Sequence, residues 1–231
     1  MELTPNESVL CQALAITSLL GELSNNNFLK SEYFQKLQFS GNNENFRKIL
    51  KASGIGNPAT MQMFLYVLLV MPKGIFEKYD KTYGDQCERE INQLFLNLVT
   101  NANTTYNNES SNDLSTINFY RHTRNAVSHS KCFYEVVNNV CYVTFKDKHP
   151  KDISQHCEFT LKTGDVGRIL EKLQIQILCY FLIRIGKRTS YIRESATIMK
   201  EINIYGPFRI SIRIRPNRRS APGHCRVGAG I

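Results

Sequence analysis

Apolar residues recur at helical spacing from the first turns of the chain. Thr4-Pro5-Asn6-Glu7 has the form of a capping box with proline at the first helical position. Val9, Leu10, Ala13, Ile16, Leu19, Leu20 and Leu23 follow at near-helical spacing, which predicts a helix to about residue 23. Asn25-Asn26-Asn27 breaks it. Short helices are predicted over about 28–38 and 43–52, followed by a turn at Gly54 and Gly56. Asn57 and Pro58 open a helix that runs through the apolar block to Val70, and Met71-Pro72-Lys73-Gly74 is expected to end it. A further helix is predicted over 80–100, apolar at Ile91, Leu94, Phe95, Leu98 and Val99.

Residues 101–113 carry almost no apolar side chains and read as a flexible surface loop. Helix signals resume at Asp113 and run to about Ser128. The period then changes. Residues 132–137 and 140–145 read as two strands joined by Asn138-Asn139, since asparagine tolerates the positive φ of a tight hairpin. Cys157 to Lys162 suits a third strand. A long helix is predicted from about Asp165 to Gly186. The fold class that results is mainly α, a helical bundle with a small antiparallel hairpin or sheet placed after the helix that ends near Ser128.

The end of the chain differs. From Phe208 to Arg215 the even positions are apolar and the odd ones are Arg209, Ser211, Arg213 and Arg215, a pattern that gives a strand with one arginine face. Residues after Pro216 lack any core-forming pattern. Of the formal net charge of +9, all lies in residues 184–231, which hold eleven Lys/Arg against Glu194 and Glu201. A helical domain over 1–187 with a basic extension over 188–231 is therefore expected. Such a concentrated positive segment attracts polyanions through counterion release, and Arg209, Arg213 and Arg215 are candidate RNA-binding residues. A solubilising tail is the alternative.

Apolar residues at 42% and charged residues at 21% fit an ordinary globular chain and exclude collagen-like, coiled-coil and wholly disordered classes. The seven cysteines are scattered with no CxxC pair, which suits free thiols in a reducing compartment. The first residues, Met1-Glu2-Leu3, are acidic where an export signal is basic. The greasiest run, Met61 to Met71, has 11 residues, too few to span about 30 Å of hydrocarbon. A cytoplasmic setting without membrane contact is expected. Cys141, His149, His156 and Cys157 lack zinc spacing, and the glycines form no dinucleotide loop, so no metal or cofactor is expected.

One segment gathers chemistry. Tyr120-Arg121-His122-Thr123-Arg124-Asn125-Ala126-Val127-Ser128-His129 holds two of the five histidines and two arginines. On a helix His122 and His129 are about 20° short of two full turns apart, hence on one face. Arg124 and His129 lie about 140° apart unless the helix ends between them. Histidine, as a side-chain type, is suited to moving protons near neutrality. Arginine supplies a permanent charge and a planar fork of donors for phosphate oxygens.

The run Arg124-Asn125-Ala126-Val127-Ser128-His129 resembles the Rx4H signature of the HEPN superfamily (higher eukaryotes and prokaryotes nucleotide-binding domains), in which Arg is often followed directly by a polar residue. Helices before the motif and one long apolar helix closing the unit fit a HEPN-like bundle over residues 1–187. The hairpin after the motif is similar to free-standing bacterial HEPN proteins. The resemblance implies a metal-independent endoribonuclease in a bacterial toxin–antitoxin or defence setting. It implies Arg124, Asn125 and His129 as catalytic residues, Arg121 and His122 as an extension of the anion site, and a homodimer with motifs face to face. RNA and an antitoxin are the partners it implies. In a toxin subgroup a tyrosine two residues after the histidine accepts AMP; that position is Lys131 here, so this modification is not expected. A HEPN fold that binds RNA or a nucleotide without cutting it, and a structural helical interaction protein, are the alternatives.

Overall fold

The computed structural model describes residues 3–40 and 44–186, and a pair of two-residue antiparallel strands, Asn203–Ile204 and Ile210–Ser211. The pair overlaps the strand expected over 208–215. Arg209, Arg213 and Arg215 lie outside the described residues.

Helix α1 (Pro5–Asn25) opens on the expected capping box: Thr4 Oγ1 accepts the Glu7 N–H at 3.3 Å and the Glu7 carboxylate accepts the Thr4 N–H at 2.9 Å. Glu7 is also turned fully inward. Its carboxylate accepts the Tyr180 hydroxyl at 2.7 Å and Arg184 Nε at 2.9 Å, both from the last helix, α8 (Thr163–Gly186). Burial opposes its charge. The bonds from Arg184, the Thr4 backbone and Tyr180 outweigh that cost and lower its pKa to about 2. This ion pair sets the rotation of α1. The buried positions are Glu7, Leu10, Leu14, Thr17 and Gly21, in strict three–four spacing. Val9, Ile16 and Leu19, expected in the apolar stripe, are therefore exposed.

The helix expected over 43–52 is α3 (Glu44–Ser53), while the one expected over 28–38 is split into a single turn at Phe28–Lys30 and α2 (Glu32–Lys36). Arg47 of α3 ties them together by donating to the carbonyls of Phe34, Gln35 and Leu37.

The central helix departs most from expectation. It does not stop at Met71-Pro72. Helix α4 (Pro58–Leu65) passes through one wide turn, Tyr66–Val70, into α5 (Met71–Tyr79). In the wide turn the Met71 N–H reaches back five residues to the Tyr66 carbonyl. Pro72 then sits in the first turn of α5, where a missing N–H is tolerated. The resulting 22-residue helix, Pro58–Tyr79, is long and apolar enough by length and composition to cross a membrane. Here it runs through the core, with Leu65, Leu68, Leu69, Ile75 and Phe76 buried.

Helix α6 (Lys81–Leu96) packs on α5 and α8, and α7 (Phe119–Ser128) packs on α6 and the wide turn. The long helix α8 buries Val166, Ile169, Leu170, Leu173, Ile177, Tyr180 and Phe181.

The antiparallel sheet has four strands in the order β1-β4-β3-β2: β1 (Asn101–Thr104), β2 (Cys132–Val137), β3 (Val140–Lys148) and β4 (His156–Lys162). Asn138 and Asn139 turn the β2–β3 hairpin at φ 51° and 61°, the geometry expected of them. One face of the sheet is buried, carrying Val143, Phe145 and Asp147 of β3 and Cys157, Phe159 and Leu161 of β4. Phe159 packs against Phe119 of α7 at 4.9 Å and Phe145 at 5.3 Å between ring centroids, which anchors α7 on the sheet.

Gly84 marks the closest helix approach: a Cβ there would stand 2.8 Å from Cβ of Phe76, across the α5–α6 crossing. Alanine normally favours a helix by about 1 kcal/mol over glycine. At this position Gly84→Ala is expected to lower stability, by about 1–3 kcal/mol, because two helices must be pushed apart. Urea unfolding measures it.

Candidate active site

Helix α7 starts later than the sequence suggests. Residues 114–116 form an isolated turn, and Asn118 caps the helix by accepting the Arg121 N–H at 2.9 Å. Its amide also donates to Glu88 at 2.7 Å. The helix ends at the motif. His129 leaves helical geometry at φ −105° and ψ 12°, and Ser130 turns left-handed at φ 54°. The N–H groups of Ser130 and Lys131 then bond back to the carbonyls of Val127 and Ala126, at 3.2 and 2.7 Å, closing the helix end.

This termination separates the motif residues. His129 is exposed and lines a cleft with Asn125, bounded by Lys131, Phe133 and the end of β3. Arg124 is half-buried and lines a different, smaller cleft with Lys73, Glu77, Lys81 and Glu88. Asn125 lies between them: its Oδ1 accepts from Arg124 at 3.4 Å and its Nδ2 donates to Asp147 at 3.1 Å. Within the chain, Arg124 and His129 thus flank the helix instead of sharing one cleft.

His122 and His129 differ in burial: His129 is exposed, while His122 lies behind Asp147. His122 has no exposed surface, so the expected contact with RNA is corrected: the side chain is buried inside the protein. Its Nδ1 faces Asp147 Oδ2 at 2.7 Å, and its Nε2 faces both Glu109 oxygens at 2.9 Å. Burial alone would push its pKa down. Bonds to Asp147, Cys157 and Glu109 override that and raise it to about 10, so the ring is an imidazolium donating from both nitrogens. Burial would raise both carboxyl groups, but the hydrogen bond from His122 and its charge hold Glu109 and Asp147 below their ordinary values.

Arg121 completes the cluster. It is half-exposed, donates to Glu109 at 2.9 Å and lies over the Tyr106 ring at 5.1 Å. The Tyr106 ring packs tilted against His122, 4.8 Å between centroids, and its hydroxyl donates to Asp147 at 3.2 Å. The Thr104 hydroxyl donates to Glu109 at 2.9 Å. Two positive and two negative groups balance.

Thr104, Tyr106 and Glu109 come from the stretch expected to be a flexible loop, which is a correction. Residues 101–104 form β1, paired with β4, and the segment after it supplies a buried carboxylate. Hydrophobic periodicity could not find a strand of Asn-Ala-Asn-Thr. Asp147 did leave a signal: it extends the buried alternation Val143, Phe145 by one more step. Glu109, His122 and Cys157 also bring a carboxylate, an imidazole and a thiol within 4.8 Å of one another. That donor set suits zinc, although the imidazole nitrogens already face Glu109 and Asp147.

The cluster gives stability a pH profile. The contribution from His122 is complete below its unfolded pKa of about 6.5 and is lost as pH rises through about 10. The contributions of Glu109 and Asp147 are present above their unfolded values and are lost as pH falls through their depressed ones. His122→Gln is expected to cost about 3–5 kcal/mol, because it leaves buried carboxylates without their counter-charge. Urea midpoints from pH 7 to 10 should fall for the parent, and this alkaline limb should be much reduced in the variant.

The helical bundle, the sheet, and a motif helix ending on its histidine are now in view. Residues 6–180 match the model of the family described as HEPN pEK499 p136. No curated protein and no solved structure matches the chain. The family match spans the sheet and the bundle up to residue 180 of α8, with the Rx4H residues inside it, and on that ground the chain belongs to the HEPN superfamily.

Proposed function

We propose that the protein is a metal-independent endoribonuclease of HEPN type. The observation that carries this reading is the placement of Arg124-Asn125 and His129 at the closing turn of α7. His129 is exposed beside a basic cleft, and Asn125 is fixed through Asp147 to the buried His122. In the chemistry proposed, the His129 imidazole takes the proton of a ribose 2′-hydroxyl. The 2′-oxygen attacks phosphorus, the P–O5′ bond breaks, and the 5′-oxygen leaves with a proton from water or from His129 of a second copy. The products are a 2′,3′-cyclic phosphate and a 5′-hydroxyl. Arg124 stabilises the charge that builds on the non-bridging oxygens.

Because Arg124 and His129 flank α7 within one protomer, the composite site is assigned to a homodimer in which two α7 ends approach each other. A bacterial toxin–antitoxin or defence role in the cytoplasm, with an antitoxin as a further partner, belongs to the same proposal.

RNA cleavage should persist in EDTA and yield cyclic phosphate ends. His129→Ala should lower the rate about 10²–10⁴-fold and Arg124→Ala about 10²–10³-fold, with little change in Tm. Activity that requires added Mg²⁺ or Mn²⁺ overturns the mechanism. RNA binding without any cleavage assigns the protein to the non-catalytic branch instead. Sedimentation at micromolar concentration should show a dimer; a fully active monomer removes the composite site.

A further inference from the structure

The cleft beside His129 holds more than the proposed chemistry uses. Its volume is about 570 Å³, enough for a nucleotide. Around His129 it gathers Lys131, Phe133, Lys146, Lys148 and His149. Lys131 and Lys148 are exposed. The acid in the wall, Asp147, is buried and matched by the His122 imidazolium, so it does not cancel the lysines. Lys146 is shared with Glu158 at 2.9 Å.

Phe133 is the unusual member. It is 49% exposed on β2, which is an edge strand of the sheet. Register places it opposite Thr144, and the Lys131 carbonyl accepts the Lys146 N–H at 3.0 Å. Lys131, Phe133 and Lys146 therefore occupy adjoining positions, and Lys146 Nζ stands 5.3 Å from the Phe133 ring centroid. An aromatic face set among lysines, on a rigid strand, is the arrangement that binds single-stranded nucleic acid: bases stack and ammonium groups take the phosphates. A duplex keeps its bases stacked on each other and cannot offer one to the ring.

We infer that this cleft is a subsite for single-stranded RNA, with a base adjoining the scissile phosphate stacked on Phe133 and flanking phosphates held by Lys131 and Lys148. The inference rests on the ribonuclease reading for the position of the scissile phosphate at His129. It adds the substrate class, unpaired RNA, and the residues that select it.

The test uses the full chain carrying His129→Ala, so that RNA stays intact, and fluorescence anisotropy with an unstructured labelled RNA oligonucleotide. Adding Phe133→Ala should weaken binding about 5- to 100-fold, the loss expected for one stacked base. The slope of log Kd against log salt should not change. Phe133→Tyr, which keeps a ring on the strand, should bind as the parent does. Lys131→Gln with Lys148→Gln should weaken binding and reduce the salt slope by about 0.7 for each phosphate no longer neutralised. A blunt RNA duplex should bind more weakly than the single strand and be indifferent to Phe133→Ala.

Parent-like affinity in both the Phe133→Ala and the double lysine variants overturns the subsite, whether or not the wild type cuts RNA. Equal loss in Phe133→Ala and Phe133→Tyr also overturns it, because that pattern marks a packing defect. If Phe133→Ala alone weakens binding while the wild type cleaves nothing, the subsite stands and the ribonuclease reading fails.

Discussion

A positive imidazole held between two carboxylates in the interior governs this structure. His122 belongs to the motif helix, Asp147 to the third strand, and Glu109 to the polar segment before the helix. Three parts of the chain are thus tied by charges that water cannot reach. Such a cluster is tolerable only when each group meets its partners, because a lone buried charge is far more costly than a buried pair. The surrounding bonds meet that demand. Tyr106 and Asn125 donate to the same Asp147 oxygen as His122, and Thr104, Arg121 and the Asn118 N–H donate to Glu109. The helix cannot rotate or slide without breaking several of these at once. Asn125 inherits that rigidity, and it is the only motif residue joined both to Arg124 and to the cluster among the described residues.

The surface chemistry is arranged around this fixed interior. Ending the helix at Ser128 brings His129 out of the bundle, while Arg124, one turn earlier, stays half-buried on the other side. The sheet then does two jobs. Its inner face closes the core through Phe145 and Phe159, and its edge carries Phe133 and Lys131 alongside His129. A helical bundle alone offers curved, convex surfaces; the added sheet supplies the cleft wall.

Much of this was legible in the residues. The capping box at Thr4, the Asn138-Asn139 hairpin and the long helix α8 are local signals, and they hold because local chemistry decides them. The Rx4H run was visible for the same reason. What escaped was set by long-range interactions. Glu7 looked like a cap alone, yet it also pairs with Arg184, which lies at the far end of the bundle's sequence, and this pairing turns α1 away from its most apolar stripe. Residues 101–109 looked like solvent-loving loop because polarity is indistinguishable from exposure until a partner is known. Their partners are His122, Arg121 and a strand more than fifty residues later. His122 itself was read by its spacing, which gives the face of a helix but not whether that face is wet.

The wide turn at Tyr66–Val70 has a consequence for how this chain can vary in length. A turn of that kind holds one more residue than an ordinary helical turn, while the segments on either side keep the faces they would have without it. Losing a single residue there would leave a regular helix, with Leu65 before it and Ile75 and Phe76 after it still facing inward. The same loss elsewhere between Pro58 and Tyr79 would rotate everything downstream by about 100°. Lys73 would take the buried place of Pro72, and Ile75 the exposed place of Gly74. The central helix, which runs through the core, therefore carries its tolerance to deletion in its middle, at the place where it is least regular.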